Sequence, residues 1–412
     1  AFVGIEALKA VERVLFAAME AVQDTLLRGR PGGLRDVTRL RLQRQIESLE
    51  NRAREYVISN HFDRILTENG ARDMNATTGY EATTYYVRLP SNRAQLWFVL
   101  EADRMLNPVF REFYTERDVV AEERSTRIDA NPGGRLMEAF YAEAYREHPY
   151  GTPVIGLSED ISTHTRAEVA EYHRRYYRPT NAVAVIVGDI DPDRILDWAR
   201  SYFGPIPSGE EPPRVDAEEP PQTAPRRVEV PFDAEPELVV GWRVPSAYHE
   251  DAPALSVMTQ LLAGGSTGRL HRRLVLGEGL ATSVTASVGP GFRGPRLFTI
   301  TAQPLAGTST DELEAAIYDE LDRLVREPPT PVELTRVRNG LEAGEIRRLA
   351  DNLGLAFQLA ESVIYHGDWR ATFRATDRLT RVSADDVVRI AREYLVPENR
   401  TVAVLVPEGP NR

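Results

Sequence analysis

Apolar residues recur at helical spacing along the first part of the chain. A Gly/Pro break at 30–33 separates them from a second, more charged helical stretch at about 36–56. The sequence therefore predicts two amphipathic helices that lie as a hairpin on a neighbouring domain, over residues 1–56. The apolar face of the first helix consists of Val11, Leu15, Met19, Val22 and Leu26.

From residue 57 the pattern becomes that of a mixed α and β domain. After the turn at Asn69-Gly70, two stretches rich in Thr, Tyr and Val predict strands. The capping box Thr165-x-x-Glu168 predicts the start of a helix. The expected strands are 74–80, 83–89 and the β-branched stretch 183–187, and the expected helices are 92–105, 115–128, 133–146 and one from 165.

A proline-rich stretch, 204–226, has the composition of an exposed linker and separates this region from a second one with the same mixture. The second region is predicted to repeat the mixture of helices and strands. Its expected elements are strand 227–243, helix 252–263, strands around 281–302, helices 310–326 and 331–348, more helix to 375, and a last helix and strand.

The two regions also match in sequence at an offset of 218 residues. Each copy contains a helix cap, a helix, a Pro-x-Asn turn and an apolar stretch, so we predict an internal duplication. The predicted fold is α+β, with two duplicated domains, each an antiparallel or mixed β-sheet packed with helices, at 57–206 and 227–412, joined by the linker 207–226. The matched pairs are Thr165/Ser383, Glu168/Asp386, Val169/Val387, Arg174/Arg392, Tyr176/Tyr394, Pro179/Pro397 and Asn181/Asn399.

Composition narrows the function classes. The formal charge of −12 opposes binding of nucleic acid, which requires a basic surface. No apolar run approaches the roughly 20 residues needed to span a bilayer. The absence of cysteine excludes disulfides, thiolate nucleophiles and Cys-ligated zinc.

Several stretches, in order, resemble the insulinase/pitrilysin-type (M16 family) zinc metallopeptidases. The resemblance runs from about residue 57 to 406, and the helical residues 1–56 resemble an insertion that some bacterial members carry after their metal motif. The stretches are Glu68-Asn-Gly-Ala-Arg-Asp-Met-Asn-Ala-Thr-Thr78, Leu106-Asn-Pro-Val-Phe110, Glu116-Arg-Asp-Val-Val-Ala-Glu-Glu123, His148-Pro-Tyr-Gly151, Tyr177-Arg-Pro-Thr-Asn181, Gly188-Asp189, Leu261-Leu-Ala-Gly-Gly-Ser-Thr-Gly-Arg-Leu270 and Gly279-Leu-Ala281.

The resemblance implies zinc held by an H-x-x-E-H helix and by a glutamate of a later helix. Two His four residues apart face one side of a helix and can share a metal. None of the seven histidines has another four residues away, so the motif is absent from this chain. We therefore expect the chain alone to be inactive and to bind no zinc, and we expect the motif to lie upstream of Ala1 in an intact enzyme. The alternative is a non-catalytic subunit that binds peptide or scaffolds a catalytic partner.

Two site elements follow from the resemblance. It assigns Glu123 as the remaining zinc ligand and Glu116 as its supporting acid. The sequence pattern alone favours a different interpretation, in which Glu123 pairs with Arg127 on a wet helix face. It also assigns Asn75, Ala76 and Thr77 to a strand edge that pairs with substrate peptide. The residues themselves also fit an ordinary hairpin strand, and both interpretations can hold.

The resemblance also sets expectations about partners and location. The family's substrate-contacting Arg and Tyr fall on Val275 and Thr282, with Arg273 nearby as a surface residue. We therefore expect a peptide substrate, and an M16-like partner subunit or a homodimer that completes the site. His148 is expected to be structural. The expected location is the periplasm or another exported compartment, with the cytoplasm as the alternative.

Overall fold

The computed structural model describes residues 14, 15, 17–22, 25, 36–54, 60–110, 112–213 and 215–407. Helices and mainly antiparallel strands occur in both halves of this part of the chain, as expected for an α+β protein. None of the helices that could be searched is at once long and apolar enough to cross a membrane.

The first half contains one two-stranded antiparallel hairpin, formed by β1 (Arg72–Thr78) and β2 (Thr83–Arg88). A π-helical turn, Ser125–Asp129, extends one of its helices. The described helices of this half and of the preceding residues are α1 (Asp36–Arg54), α2 (His61–Glu68), α3 (Ala94–Leu106), α4 (Phe113–Arg124), α5 (Pro132–Ala144), α6 (Ser158–Thr163), α7 (Arg166–Tyr176) and α8 (Pro192–Tyr202).

The second half contains a five-stranded sheet in the order β3-β7-β4-β6-β5. β4 lies between β6 and β7 and is antiparallel to both, whereas the edge strand β3 is parallel to β7. The strands are β3 (Arg226–Pro231), β4 (Glu237–Val244), β5 (Ala281–Gly289), β6 (Arg296–Pro304) and β7 (Arg400–Val406).

One face of this sheet is covered by helices of its own half. α9 lies at the centre of the largest apolar core, with Leu255, Met258 and Leu262 almost fully buried. It packs against β5 and three neighbouring helices, α11, α13 and α14. The helices of the second half are α9 (Ala252–Ala263), α10 (Thr310–Arg326), α11 (Pro331–Leu349), α12 (Asn352–His366), α13 (Ala371–Arg381) and α14 (Ala384–Tyr394).

The other face of the sheet is covered by α5, which belongs to the first half. Leu136 and Phe140 are fully buried in a core that includes Val239 of β4 and Ala403 of β7. Phe140 lies so close to the sheet that a β-carbon at Gly241 would lie 2.5 Å from its ring. Only glycine at position 241 leaves room for this helix to dock.

Each half contributes one helix to the other half, so that α5 and α12 are exchanged. α12 of the second half contacts the hairpin of the first. The rings of Tyr86 and Phe357 lie 5.0 Å apart, and Arg88 of β2 forms an ion pair with Asp351 at 2.9 Å. Both exchanged helices begin in the same way. Asn131 and Asp351 are N-caps whose side chains each accept a hydrogen bond at 2.9 Å from a glycine N–H three residues later. This repetition of detail fits a duplication.

Most predicted elements are present, but two predictions are corrected. Residues 183–187 form no strand among the described residues, whereas the sequence predicts one. The stretch 227–243 is two strands, β3 and β4, rather than one. The described part of the linker, 207–213 and 215–225, has no helix or strand, and β3 begins at its last residue, Arg226. It is not wholly exposed, because Glu219 has a fully buried side chain that accepts hydrogen bonds from three backbone N–H groups, those of residues 146–148.

Part of the N-terminal helical region packs on the first half. Leu15, Met19 and Val22 are buried, and Met19 clusters with Tyr114 of α4. Glu20 pairs with Arg166 at the start of α7, at 3.0 Å. Val11 and Leu26, predicted to share this apolar face, lie outside the described residues.

Candidate peptide-binding edge and metal carboxylates

The hairpin presents one strand edge to solvent. All residues of β1 except Met74 are exposed, including Asn75, Ala76 and Thr77. No other strand of the described chain pairs with the outer edge of β1. The structure therefore places these three predicted residues together on a free strand edge, as an added peptide strand requires.

The turn of the hairpin fixes which backbone groups face that edge. Gly79 donates its N–H to the carbonyl of Ala82 at 2.9 Å. Because bonded and non-bonded pairs alternate in an antiparallel ladder, Thr77 and Asn75 point their N–H and C=O groups towards β2. Ala76 and Thr78 point theirs outward. The outward N–H of Ala76 donates a hydrogen bond to Asn75 Oδ1 at 2.8 Å.

Glu116 and Glu123 both lie on α4, two helical turns apart. Glu116 is exposed. Glu123 forms an ion pair with Arg127 at 2.9 Å, with 39% of its side chain exposed. This pair is the wet-face arrangement that the i, i+4 spacing allows, so the carboxylate has a partner other than a metal.

The described residues do not make a zinc site. They contain no group of three or more His, Cys, Asp or Glu side chains arranged to hold a metal. A single carboxylate beside an arginine lacks the imidazole donors that zinc prefers. The donor set of this part of the chain therefore does not fit the metal.

Two of the histidines, His173 and His148, have partners within the protein. His173 stacks on Tyr177 at 4.5 Å, and burial lowers its pKa. His148 donates its backbone N–H to Glu219 at 2.9 Å, and its Nδ1 accepts the N–H of Tyr150 at 3.2 Å. Burial lowers the pKa of His148 as well. The arrangement around His148 is structural, in line with the sequence-based expectation.

Two charged residues that the sequence analysis did not single out position the site. Arg124, beside Glu123, is buried and pairs with Glu138 of α5 at 2.7 Å, which fixes α4 on its neighbour. Glu81, in the hairpin turn, accepts N–H bonds from Phe292 at 3.0 Å and Arg293 at 3.2 Å. It thereby ties the hairpin to the loop between β5 and β6. Long-range partners such as these leave no local signal in a sequence.

The positions of the family's Arg and Tyr are occupied differently here. Arg273 pairs with Glu278 and Asp319, each at 2.7 Å, so its guanidinium is engaged within the second half. Burial opposes its charge, but these carboxylates outweigh burial and raise its pKa. The Thr282 hydroxyl donates to the carbonyl of Gln303 at 3.3 Å. Arg273 is therefore no free cation for a substrate.

Known proteins match along most of the chain. The model of the family described as "Insulinase (Peptidase family M16)" matches residues 53–157, and that of the "Peptidase M16 inactive domain" matches residues 163–341. An uncharacterized zinc protease of Mycobacterium tuberculosis is 30% identical over 351 residues, which cover 82% of this chain and 78% of the relative. The chain belongs to the M16 peptidase family.

Other M16 proteins agree with this assignment. The zinc protease PqqE of Helicobacter pylori is 27% identical over 368 residues, 88% of this chain and 82% of the relative. A crystal structure of a protease from Helicobacter pylori matches with a TM-score of 0.80 and 27% identity, over 85% of each chain. An M16 inactive-domain structure from Pseudomonas fluorescens shares the fold at a TM-score of 0.75 and 18% identity, over 87% of this chain and 86% of that one.

Proposed function

We propose that this chain is the peptide-binding part of an M16-type zinc endopeptidase that acts on extended peptides, and that the chain alone does not hydrolyse them. The observation that carries the proposal is the free edge of β1 at Asn75, Ala76 and Thr77. A peptide laid along this edge would gain main-chain hydrogen bonds with little preference for its sequence.

The chemistry of the edge suits reversible pairing. Ala76 has a small side chain, so another backbone can approach closely. Asn75 Oδ1 satisfies the outward N–H of Ala76 when no peptide is present, and a peptide carbonyl would replace it. Each net main-chain hydrogen bond contributes about 1 kcal/mol, so affinity accumulates from several such bonds.

A proline substitution tests the edge. Ala76→Pro removes an outward N–H and leaves the ladder with β2 intact, because proline is tolerated on a strand edge that faces solvent. We expect peptide binding, measured by fluorescence anisotropy with a labelled extended peptide, to weaken about tenfold. The matched variant Ala76→Ser keeps the N–H and should bind as the parent chain does. Equal affinity of all three proteins would contradict the role of this edge.

A separate experiment tests the proposal that the chain alone does not hydrolyse peptides. The purified chain with added zinc should show no peptide hydrolysis that a chelator abolishes, because its described donors include no zinc site. Chelator-sensitive cleavage by the 412-residue chain would overturn this part of the proposal.

A second candidate is a non-catalytic M16 subunit that binds peptide or scaffolds a catalytic partner. The pairing of Glu123 with Arg127 favours it, because that carboxylate is neutralised without a metal. The coding sequence upstream of Ala1 separates the two. An H-x-x-E-H there supports the enzyme, whereas a start codon or signal peptide directly before Ala1 supports the non-catalytic subunit.

We also propose that an M16-like partner subunit, or a second copy of this chain, completes the substrate site. Arg273 is engaged by Glu278 and Asp319, so this arginine is no substitute for the family's Arg. Co-purification that yields only monomers would contradict this.

Export to the periplasm is proposed as the location, with the cytoplasm as the alternative, and cell fractionation decides between them.

A further inference from the structure

A β-bulge interrupts β1 near its start. Between the pairs Arg72/Arg88 and Asn75/Tyr86, β1 has two residues whereas β2 has one. Such an extra residue disrupts the ladder locally, bends the strand and increases its twist. The regular part of β1, whose outer edge is the proposed peptide-binding edge, is therefore only residues 75–78.

The backbone of Asp73 shows how the bulge is formed. Its φ is 49°, in the left-handed region, which Asp tolerates better than most residues with a side chain. The carboxylate of Asp73 pairs with Arg88 on β2 at 2.7 Å. Arg88 also pairs with Asp351, the N-cap of α12, at 2.9 Å. The bulge is therefore stabilised by the same ion pairs that join the hairpin to the second half.

The turn of the hairpin closes the other end of the edge. Glu81 accepts N–H bonds from Phe292 at 3.0 Å and Arg293 at 3.2 Å, so the turn is fastened to the loop between β5 and β6. The two backbones approach closely, because a β-carbon at Gly291 would lie 2.6 Å from a carboxylate oxygen of Glu81. A peptide strand laid along β1 therefore has no continuing edge beyond Thr78.

The outer strand of the second-half hairpin has the same irregularity. β5 pairs with β6, and no strand of the described chain pairs with its other edge. Its ladder also shifts near its start, between Ala281 and Ser283. Bulges on free edges end strand pairing and protect the edge from longer strands. The recurrence in both halves indicates that the bulge is a feature of the repeated domain.

We propose that the bulge at Asp73 and the turn at Glu81 limit the edge of β1 to an extended segment of about four residues. Its bonds go to the outward N–H and C=O groups of Ala76 and Thr78. The inference rests on the proposed function and narrows its substrate class. A suitable peptide is extended over a short stretch and leaves the edge on both sides, so a longer extended stretch gains no further bonds.

Hydrogen exchange with and without bound peptide tests the inference. The probe is an extended peptide of alternating Ala and Thr, about 12 residues long. In the parent chain it should slow the amides of Ala76 and Thr78 at least about tenfold and leave those of Asp73 and Met74 unchanged. A peptide of about six residues should bind within about threefold of the longer one, because both fill the edge.

Deletion of Asp73 provides a variant with a longer edge. It leaves Met74 alone opposite Val87 and keeps the pairs on either side. By the alternation of an antiparallel ladder, the N–H and C=O groups of Met74 then face outward. The longer peptide should now slow the Met74 amide as well and bind about tenfold more tightly than to the parent chain.

Asp73→Gly is the matched control. It lacks the ion pair with Arg88, as the deletion variant does, but glycine adopts the left-handed conformation freely and keeps the bulge. It should therefore bind both peptides as the parent chain does. The amides of Thr84 and Tyr86, which are bonded to β1, report that the hairpin is folded in each variant. If the deletion variant does not fold, the parent chain and Asp73→Gly decide the question.

The outcomes separate this inference from the proposed function. Protection of Asp73 or Met74 in the parent chain, or a large gain in affinity for the longer peptide, would overturn the limit while leaving peptide binding at β1 intact. A folded deletion variant that behaves as the parent chain does would also overturn it, because the bulge would not end the edge. No protection of Ala76 and Thr78 would overturn the proposed function and this inference with it.

Discussion

The two halves contain nearly the same apolar hexapeptide after nearly the same helix, yet only the second one becomes a strand. α7 and α14 both form with capping boxes, because the hydrogen bonds of a helix lie within the helix and its cap. Residues 401–406 pair with β3 and β4, whereas 182–187 have no described strand neighbour. A strand requires partners for its backbone groups, so its sequence alone does not make it a strand.

The difference also shows where stability resides. Burying a valine or leucine side chain contributes about 1.5–3 kcal/mol. Val402, Val404 and Leu405 gain this contribution in full, because they are at most 3% exposed, whereas the equivalent residues of the first half do not. We therefore expect the second half to dominate the free energy of unfolding of this chain.

The largest expected effect is an aspartate placed in each of the two hexapeptides. Val404→Asp should lower the free energy of unfolding by more than about 4 kcal/mol, because it buries an unpaired carboxyl group. Val185→Asp should cost much less, about 1–2 kcal/mol, because that residue is only partly buried and lies beside exposed Val183. Urea unfolding followed by circular dichroism measures both, and similar losses would contradict the comparison.

Substitutions in the exchanged helices, α5 and α12, should give a smaller difference in the loss of stability. Phe140→Ala should cost about 3–5 kcal/mol, because Phe140 is fully buried between α5 and the five-stranded sheet. Phe357→Ala, on α12 against the smaller hairpin, should cost about 1–2 kcal/mol, since Phe357 is only half-buried. Thermal unfolding of the two variants tests this order. A larger loss for Phe357→Ala would mean that the hairpin side is the better packed one.

The smallest expected difference in stability loss is between two glutamates that cap helices, and it depends on pH. The hydrogen-bonded Arg269 holds the pKa of Glu333 at about 2, against an ordinary value of 4.5. Because the pKa is lowered by folding, Glu333 stabilises the folded state above about pH 4.5, and this contribution is lost as the pH falls towards 2. Glu333→Gln should cost about 2 kcal/mol at pH 7 and nothing near pH 2.

Glu168→Gln is the matched control in the first half. Glu168 caps α7 through Thr165 but has no arginine partner among its described contacts. Hydrogen bonds from Thr165 lower its pKa, and the exposed cap should contribute less than about 1 kcal/mol. Unfolding midpoints at pH 7 and pH 2 for both variants provide the measurement. A pH-independent loss for Glu333→Gln would assign its effect to packing instead of charge.

Helices, caps and the duplication were predictable because their signals are local. The Thr165 and Ser383 caps, the matched helices that follow them and the strands of the first hairpin lie where the pattern predicts them. The candidate site was predictable only through the resemblance, which assigned Asn75, Ala76 and Thr77 to a strand edge. Arg124 and Glu81 were missed because their partners, Glu138 and the backbone at Phe292, are distant in sequence.

By itself the sequence determined the family, the helices, the absence of an H-x-x-E-H pair and the repetition of one α+β domain. Only the tertiary structure decided that α5 and α12 are exchanged between the halves, that Glu123 pairs with Arg127, and that 182–187 form no strand. The physical reason is the range of the interactions. Helix caps and hydrophobic periodicity act over a few residues, whereas strand pairing and helix docking depend on neighbours that the local sequence does not specify.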